Sequence, residues 1–430
     1  MPSRRLRLLA HHPAVRALLA AAAAADTPCH LVGGVLRDRL LGLPTHDLDA
    51  VVAGRGREIA ERLAAALPAR LVLLGGKEFA AYRLVGSDFV LDLWDRAGIS
   101  LHDDLARRDL TVNSFAWEPA TGAVADPFGG LADLARRVLR ATTPASFRGD
   151  PLRVLRLPRL ALQLPGFAVG PATLALARRS AADVASVAAE RVRDELARIL
   201  AHPEAHRGVA LLAALDLYPG LCLGTPGEPA PGTAAGTAGA AVRALEALSA
   251  CCLELRELDP AAADAADLAI ARTALLFAAL PYGPAAAAPR LERFRDAGYA
   301  THHAADAAGR LLRLAALPKG ELARRHFLHG LGPLWPTAAL YLGACAALRG
   351  EASAWSEALR PLVDLALRDG EAILAPPRLL TGEEIQQLLG IAPGPEVGRA
   401  LAAIKRAQVE GRVRTREEAE KLVTRLGAQT

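Results

Sequence analysis

The sequence predicts an α+β fold: a head with a mixed sheet, followed by a mostly α-helical neck, body and tail. Three observations predict the α+β part. Strand-like and helix-like stretches alternate over the first 140 residues, the pattern from Asp150 onward is almost wholly helical, and 430 residues are long for one core. Hydrophobic residues make up 52% of the chain but aromatics only 4%, so a large core is available and alanine supplies much of it.

Taken in order, the opening stretch to Pro28 has basic and apolar parts like an export signal. His11, His12 and Pro13 interrupt it, and a helix of a cytoplasmic protein is expected instead. Cys29–Val32 reads as a strand, Gly33–Gly34 as a turn, and Val35–Leu41 as a short helix. Leu48–Val52, Leu71–Leu74 and Phe89–Trp94 read as strands, with a helix over Gly56–Leu67. Asp109–Trp117 is expected to open a further helix. Helices follow at 150–163, 171–180, 189–201, 203–215, 237–256 and 262–280, while Leu223–Gly239, rich in Pro, Gly, Thr and Ala, reads as a flexible segment. The resulting division is a head (1–140), a neck (141–220), a body (221–375) and a tail (376–430). No run is expected to have the length and hydropathy of a membrane span, and no membrane partner is expected.

The net charge of +5 fits a polyanion-binding protein, although part of the arginine excess is compositional. The five cysteines (Cys29, Cys222, Cys251, Cys252 and Cys345) form no CxxC pair, which argues against a zinc site or a disulfide framework.

Chemistry begins at Asp47-Leu48-Asp49. Residues two apart on a strand share a face, so Asp47 and Asp49 set two carboxylates side by side, an arrangement a cation relieves. Hard oxygen ligands and a phosphate substrate make Mg²⁺ the expected ion. The turn in LVGGVLRD (Leu31–Asp38) lets backbone N–H groups approach a phosphate ahead of a helix N-terminus, with Arg37 one turn further on. Alone, such a turn is more often only a tight turn. Asp150 and Arg153, three apart on a helix, are either a surface ion pair or a base-reading pair. As readers they would select C and A: the carboxylate accepts from the exocyclic amine, and the guanidinium donates to the neighbouring ring acceptor. Asp92 alternates away from Phe89, Leu91 and Leu93, and is either a third carboxylate of the site or a solvated strand residue.

LVGGVLRDRLLGLPTHDLDAVV, HDDLARRDLTVNSFAWEP, ADPFGGLADL and GDPLRVLRLPRLALQL, in that order and spacing, resemble the successive motifs of bacterial (class II) CCA-adding enzymes and their poly(A) polymerase relatives. The tail segment beginning LLTGEEIQQLLG is similar to the C-terminal part of that family. The resemblance implies a polymerase-β-like head and a tRNA 3′-nucleotidyltransferase activity that uses CTP, ATP or both without a template. It implies that Gly33, Gly34 and Arg37 face the nucleotide phosphates, that Asp47 and Asp49 hold Mg²⁺, and that Arg108 and Asp109 face the nucleotide and its ribose. Asp150, Arg153, Arg156 and Arg159 would line a nucleotide-recognition helix, and the helical body would bind tRNA.

Three features depart from the family pattern. Gly149 stands where a glutamate is usual, and Pro158 interrupts the recognition helix. Between Asp92 and Asp103-Asp104-Leu105 only a short link remains, whereas complete CCA-adding enzymes carry a longer flexible loop there. Relatives that add only CC lack that loop, so CC addition is expected. Alternatives are full CCA addition, poly(A) synthesis, transfer to a small molecule, and a catalytically silent RNA-binding protein. No oligomeric state is predicted.

Overall fold

The computed structural model describes residues 2–74, 81–96, 98–218, 221, 234–278 and 284–427. The chain forms two compact units, Met1–Val187 and Ala188–Thr430.

The first unit is built on a seven-stranded mixed sheet: β1 (Cys29–Val32), β2 (Asp47–Val52), β3 (Arg70–Leu74), β4 (Ala81–Val85), β5 (Val90–Asp95), β6 (Ala116–Trp117) and β7 (Val124–Ala125), in spatial order β3-β4-β5-β2-β1-β6-β7. Helices α1 (Pro2–Arg7), α2 (Pro13–Ala24), α3 (Gly34–Leu41), α4 (Gly56–Ala66), α5 (Leu101–Ala106), α6 (Gly130–Arg136), α7 (Leu152–Gln163) and α8 (Pro171–Arg179) complete it. Alternation along the strands explains the packing. Leu48, Ala50, Val52, Leu91 and Leu93 point to one face and join Leu18, Ile59, Leu63 and Phe115 in the main core. Asp47, Asp49 and Asp92 therefore point to the other face. β2 and β5 run parallel with Asp49 paired to Asp92, and β4 runs antiparallel to β5 with Arg83 paired to Asp92.

Several sequence expectations are corrected here. The stretch 109–117 is a 3-10 turn (Thr111–Asn113) leading into β6, not a helix. Side chain–backbone bonds win locally: Asp109 Oδ1 accepts from the Leu110 amide at 2.8 Å, and Ser114 Oγ donates to the Leu110 carbonyl at 2.9 Å. β4 was not foreseen. The opening stretch is helical, and α2 packs Val15 and Leu18 into the head core.

The second unit is helical throughout its described residues: α9 (Ala189–Ala201), α10 (Ala205–Ala214), α11 (Ala234–Leu258), α12 (Pro260–Ala265), α13 (Leu268–Ala278), α14 (Pro284–Asp296), α15 (His302–Leu312), α16 (Glu321–Leu331), α17 (Trp335–Leu348), α18 (Ala352–Leu374), α19 (Gly382–Leu389), α20 (Pro395–Val409) and α21 (Arg416–Gly427). The single helix expected at 262–280 breaks at Asp267, whose carboxylate caps α13 through the Ile270 amide at 3.0 Å. Of the segment 223–239 expected to be flexible, 223–233 lies outside the described residues and 234–239 belongs to α11. Contrary to expectation, Glu321–Leu348 is long and apolar enough to cross a membrane by composition. Its helical run is interrupted by the 3-10 turn Gly332–Leu334, and two-thirds of the apolar window is buried inside the protein. Helices α19 to α21 close around their own small core, with Ile385, Ile404 and Val423 at its centre.

Candidate active site

Gly33 ends β1 at φ +77°, a conformation that favours glycine. A Cβ there would stand 2.7 Å from Asp49 Oδ2 and 3.1 Å from Arg108 Nη1, so the missing side chain leaves a small cradle between a carboxylate and a guanidinium. The chain then enters α3 at Gly34. Arg37, one turn in, is buried, and each of its three nitrogens donates a bond. Its Nε and Nη2 donate to Asp38 at 2.8 and 2.9 Å, and Nη1 donates to Asn113 Oδ1 at 2.6 Å. Burial raises the Asp38 pKa, Arg37 opposes the rise, and Asp47 adds to it.

Asp47 is exposed at the start of β2 and Asp49 is half-buried. Burial pushes the Asp49 carboxyl up to about 6; Asp92 and Asp47 add to the rise, while Arg108 opposes it. Neither carboxylate accepts a hydrogen bond from the described residues. Two neighbouring carboxylates that accept no hydrogen bond among the described residues, one against a Cβ-free cradle, fit a hard divalent cation that takes its remaining ligands from water and substrate phosphate. No group of three or more His, Cys, Asp or Glu side chains converges among the described residues. Asp92 shares the face of Asp49, but Arg83 grips it through two bonds of 2.7 Å.

Asp109 is buried. Burial would raise its pKa, but the nearby Arg156 charge, the bond from Asn113 Nδ2 (2.9 Å) and the Leu110 amide outweigh it and hold the carboxyl below the ordinary range. Arg156 Nη2 lies 3.0 Å from Asp109 Oδ2, an ion pair without hydrogen-bond alignment. Arg108 Nη2 reaches Asp104 at 3.3 Å.

Asp150 Oδ1 accepts from the Leu152 amide at 3.3 Å, but it stands two residues before the recognition helix α7, with Pro151 at the N-cap position between them. Arg153 Nη1 donates to the Ser146 carbonyl at 2.8 Å, and Ser146 Oγ in turn donates to the Arg108 carbonyl at 3.2 Å. Arg159 Nη1 donates to Gln163 at 2.9 Å. Pro158 is accommodated inside α7 and buried. A Cβ at Gly149 would meet nothing within 4 Å.

These parts surround a cleft of about 470 Å³ lined by Gly34, Arg37, Asp47, Asp49, Arg156 and Arg159, together with Asn113 and Gln163. Gly33, Arg108 and Asp109 stand against or close to its lining residues, whereas Asp92, Asp150 and Arg153 are not part of the lining. Sequence reasoning missed Asn113, whose single amide accepts from Arg37 and donates to Asp109. Its signal was its place four residues after Asp109 in the RRDLTVNS run. The ADPFGG motif acts from outside the cleft: Asp126 caps α6 through the Gly130 and Leu131 amides at 2.7 and 2.9 Å.

Known proteins are similar to this chain along most of its length. Residues 29–140 match the family model described as the poly A polymerase head domain, and 166–225 match one described as a probable RNA and SrmB-binding site of polymerase A. The chain is 32% identical over 421 residues to the CC-adding tRNA nucleotidyltransferase of Geobacter sulfurreducens, covering 92% of this chain and 91% of that one. It is 34% identical over 436 residues to the A-adding tRNA nucleotidyltransferase of Deinococcus radiodurans, covering 93% and 96%. In fold it is similar to a CCA-adding enzyme solved with CTP (TM-score 0.69, 22% identity, 97% and 96% covered). A Thermotoga maritima CCA-adding enzyme complexed with tRNA is similar too (TM-score 0.61, 22% identity, 95% and 94% covered).

Proposed function

The chain belongs to the tRNA nucleotidyltransferase and poly(A) polymerase family, and from that premise we propose that it adds cytidines to the 3′ end of tRNA. The observation that carries this reading is the cleft itself, where Asp47 and Asp49 share one lining with Arg37, Arg156 and Arg159. Paired carboxylates for a metal beside arginines for a triphosphate are what nucleotidyl transfer needs.

In the proposed reaction the RNA 3′-oxygen bonds to the α-phosphorus of CTP. The bond from that phosphorus to the bridging oxygen breaks, pyrophosphate departs with the electron pair, and the hydroxyl proton passes to solvent. Mg²⁺ held by Asp47 and Asp49 would supply charge neutralisation at the phosphates and a more acidic hydroxyl. The backbone at Gly33 and Gly34, with Arg37 and Arg108, would hold the triphosphate, and preorganised donors there lower the cost of developing charge. Arg37 arrives already oriented by Asp38 and Asn113. Asp109 and Arg156 would face the nucleoside. Asp150 and Arg153, which stand beside the cleft rather than in its lining, would read the base, with the Ser146 carbonyl orienting Arg153.

Specificity for C rests on the short link between β5 and α5, which spans only residues 96–100. Addition of A is the second reading, favoured by the similarity to the Deinococcus radiodurans protein. Incorporation assays on three tRNA transcripts, ending before C74, after C74 and after C75, with CTP and ATP supplied separately and together, distinguish them. Two cytidines and no adenosine are expected. Adenosine added after C75 would reject the CC assignment, and a fully active Asp49→Ala protein would reject the metal assignment.

A further inference from the structure

Phosphoryl transfer sets the attacking and departing oxygens roughly in line, on opposite sides of the phosphorus. In this head the candidate groups for the departing pyrophosphate lie on one flank of Asp49. Gly33 at the end of β1 abuts the Asp49 carboxylate, Arg108 Nη1 stands beside Gly33, and Arg37 follows on α3. The other flank of Asp49 is β5, then β4, then β3. Strand alternation and the pairing register put Asp92 and Trp94 of β5, Arg83 and Val85 of β4, and Arg70 of β3 on the face that carries Asp49.

Over β1 and β2 that face is closed by Val32, Val51, Leu105 and Ala116. Over β5 to β3 it is open in part: Ala81, paired with Trp94, is buried and Val72 and Val90 are half-buried, but the outer side chains are exposed. Trp94 and Val85 are each 41% exposed, Arg70 is exposed, and the Arg83 side chain keeps 43% of its surface despite gripping Asp92. An exposed indole is a stacking platform for a base of any identity, and flanking arginines suit a phosphate backbone. The strip begins two residues from Asp92, itself paired with Asp49, so a nucleotide seated there presents its sugar to the carboxylates from the side opposite the pyrophosphate.

We propose that this strip of β5, β4 and β3 seats the 3′-terminal nucleotides of the RNA acceptor strand, with Trp94 stacking on a base and Arg70 and Arg83 facing phosphates. The proposal rests on the nucleotidyltransferase reading and adds to it the location of the second substrate. It also gives Arg83 a reason to hold Asp92: the ion pair fixes the guanidinium toward the strand path.

Intrinsic fluorescence tests it in the full chain. Trp117, Trp335 and Trp355 are at most 5% exposed, so acrylamide quenching reports chiefly on Trp94. The probe is an RNA minihelix with an acceptor stem that ends before C74. Saturating it is expected to reduce the quenching slope roughly two-fold, as stacking shields one face of the indole. CTP alone is expected to leave the slope in place. Trp94→Ala is expected to raise KM for the minihelix roughly ten-fold, within the range of one lost stacking contact, with KM for CTP within about two-fold. Trp94→Phe, which keeps an aromatic face, is expected to restore most of the RNA affinity. An unchanged slope with RNA bound by anisotropy, or an unchanged RNA KM in a folded Trp94→Ala protein, overturns the placement. Failure of the unmodified protein to incorporate any nucleotide would overturn the parent reading instead.

Discussion

At the scale of single residues, the site depends on side chains that hold other side chains. Asn113 joins Arg37 to Asp109, and Asp109 pairs with Arg156, so one amide links the turn after β1 to the recognition helix. Asn113→Ala leaves a buried guanidinium without one of its acceptors, and bonds to charged groups contribute about 1.5–3 kcal/mol each. The expected result is a fall in kcat/KM for CTP of roughly 10- to 100-fold, with a smaller loss of thermal stability. A variant with wild-type kcat/KM would show that the bridge plays no part. Asp49 supplies a pH signature. Its carboxyl is raised from 3.8 to about 6 by burial and by the neighbouring Asp92 and Asp47 charges, so the metal-free fold is weakened as pH rises through about 6 and the group ionises. A cation that binds the ionised form then releases a proton near pH 6 and binds more weakly below it. Calorimetry of Mg²⁺ binding in two buffers of different ionisation enthalpy should detect that proton, and Asp49→Asn should abolish it. Proton release that survives in Asp49→Asn would assign it to another group. The carboxylate pair was legible because strand alternation is local. The Arg37–Asn113 bridge was not, since its partners lie 76 positions apart and meet only when β1, α3 and the 3-10 turn are assembled.

At the scale of elements, legibility followed the strength of the local signal. β1 was placed to the residue and β2 to within one, because glycine and proline punctuation bounds apolar runs on either side. β4 was missed although it carries Arg83; Ala81–Val85 is short, mixes polar and apolar residues, and gains its identity from pairing on both edges. The helix expected over 109–117 failed for a related reason: Asp109 and Ser114 take backbone groups that a helix would need. The break at Asp267 is the reverse case, a capping signal overlooked inside an alanine-rich run that looked continuous. Caps also give the test suited to this scale. Thr381 and Glu384 form a reciprocal capping box at the start of α19, the Thr381 hydroxyl accepting from the Glu384 amide and the Glu384 carboxylate from the Thr381 amide. Thr381→Ala should lower the melting temperature of the second unit by about 2–4 °C, with CTP affinity unchanged in the same preparation. An unaltered melting temperature would mean that α19 does not unfold with the rest of its unit.

At the scale of the whole molecule, the division into two compact units separates the candidate chemistry from the helical mass. Every lining residue of the cleft, from Gly34 to Leu164, belongs to the first unit, as do both carboxylates and the open strip beyond β5. The second unit supplies none of these groups, although it holds more than half the chain. Hydrogen exchange can test this division of labour. CTP with Mg²⁺ should slow exchange around the turn after β1, along β2, in the 109–114 segment and in α7, and leave the amides of 188–427 at their free rates. Adding the RNA minihelix should then slow exchange in β4 and β5 through the proposed strip, and a full tRNA transcript should extend protection into the helical unit. Protection of the helical unit by CTP alone would show that the nucleotide site draws on residues outside the cleft. A tRNA that protects only the first unit would remove the helical unit from RNA recognition and leave the strip beside Trp94 as the principal RNA contact.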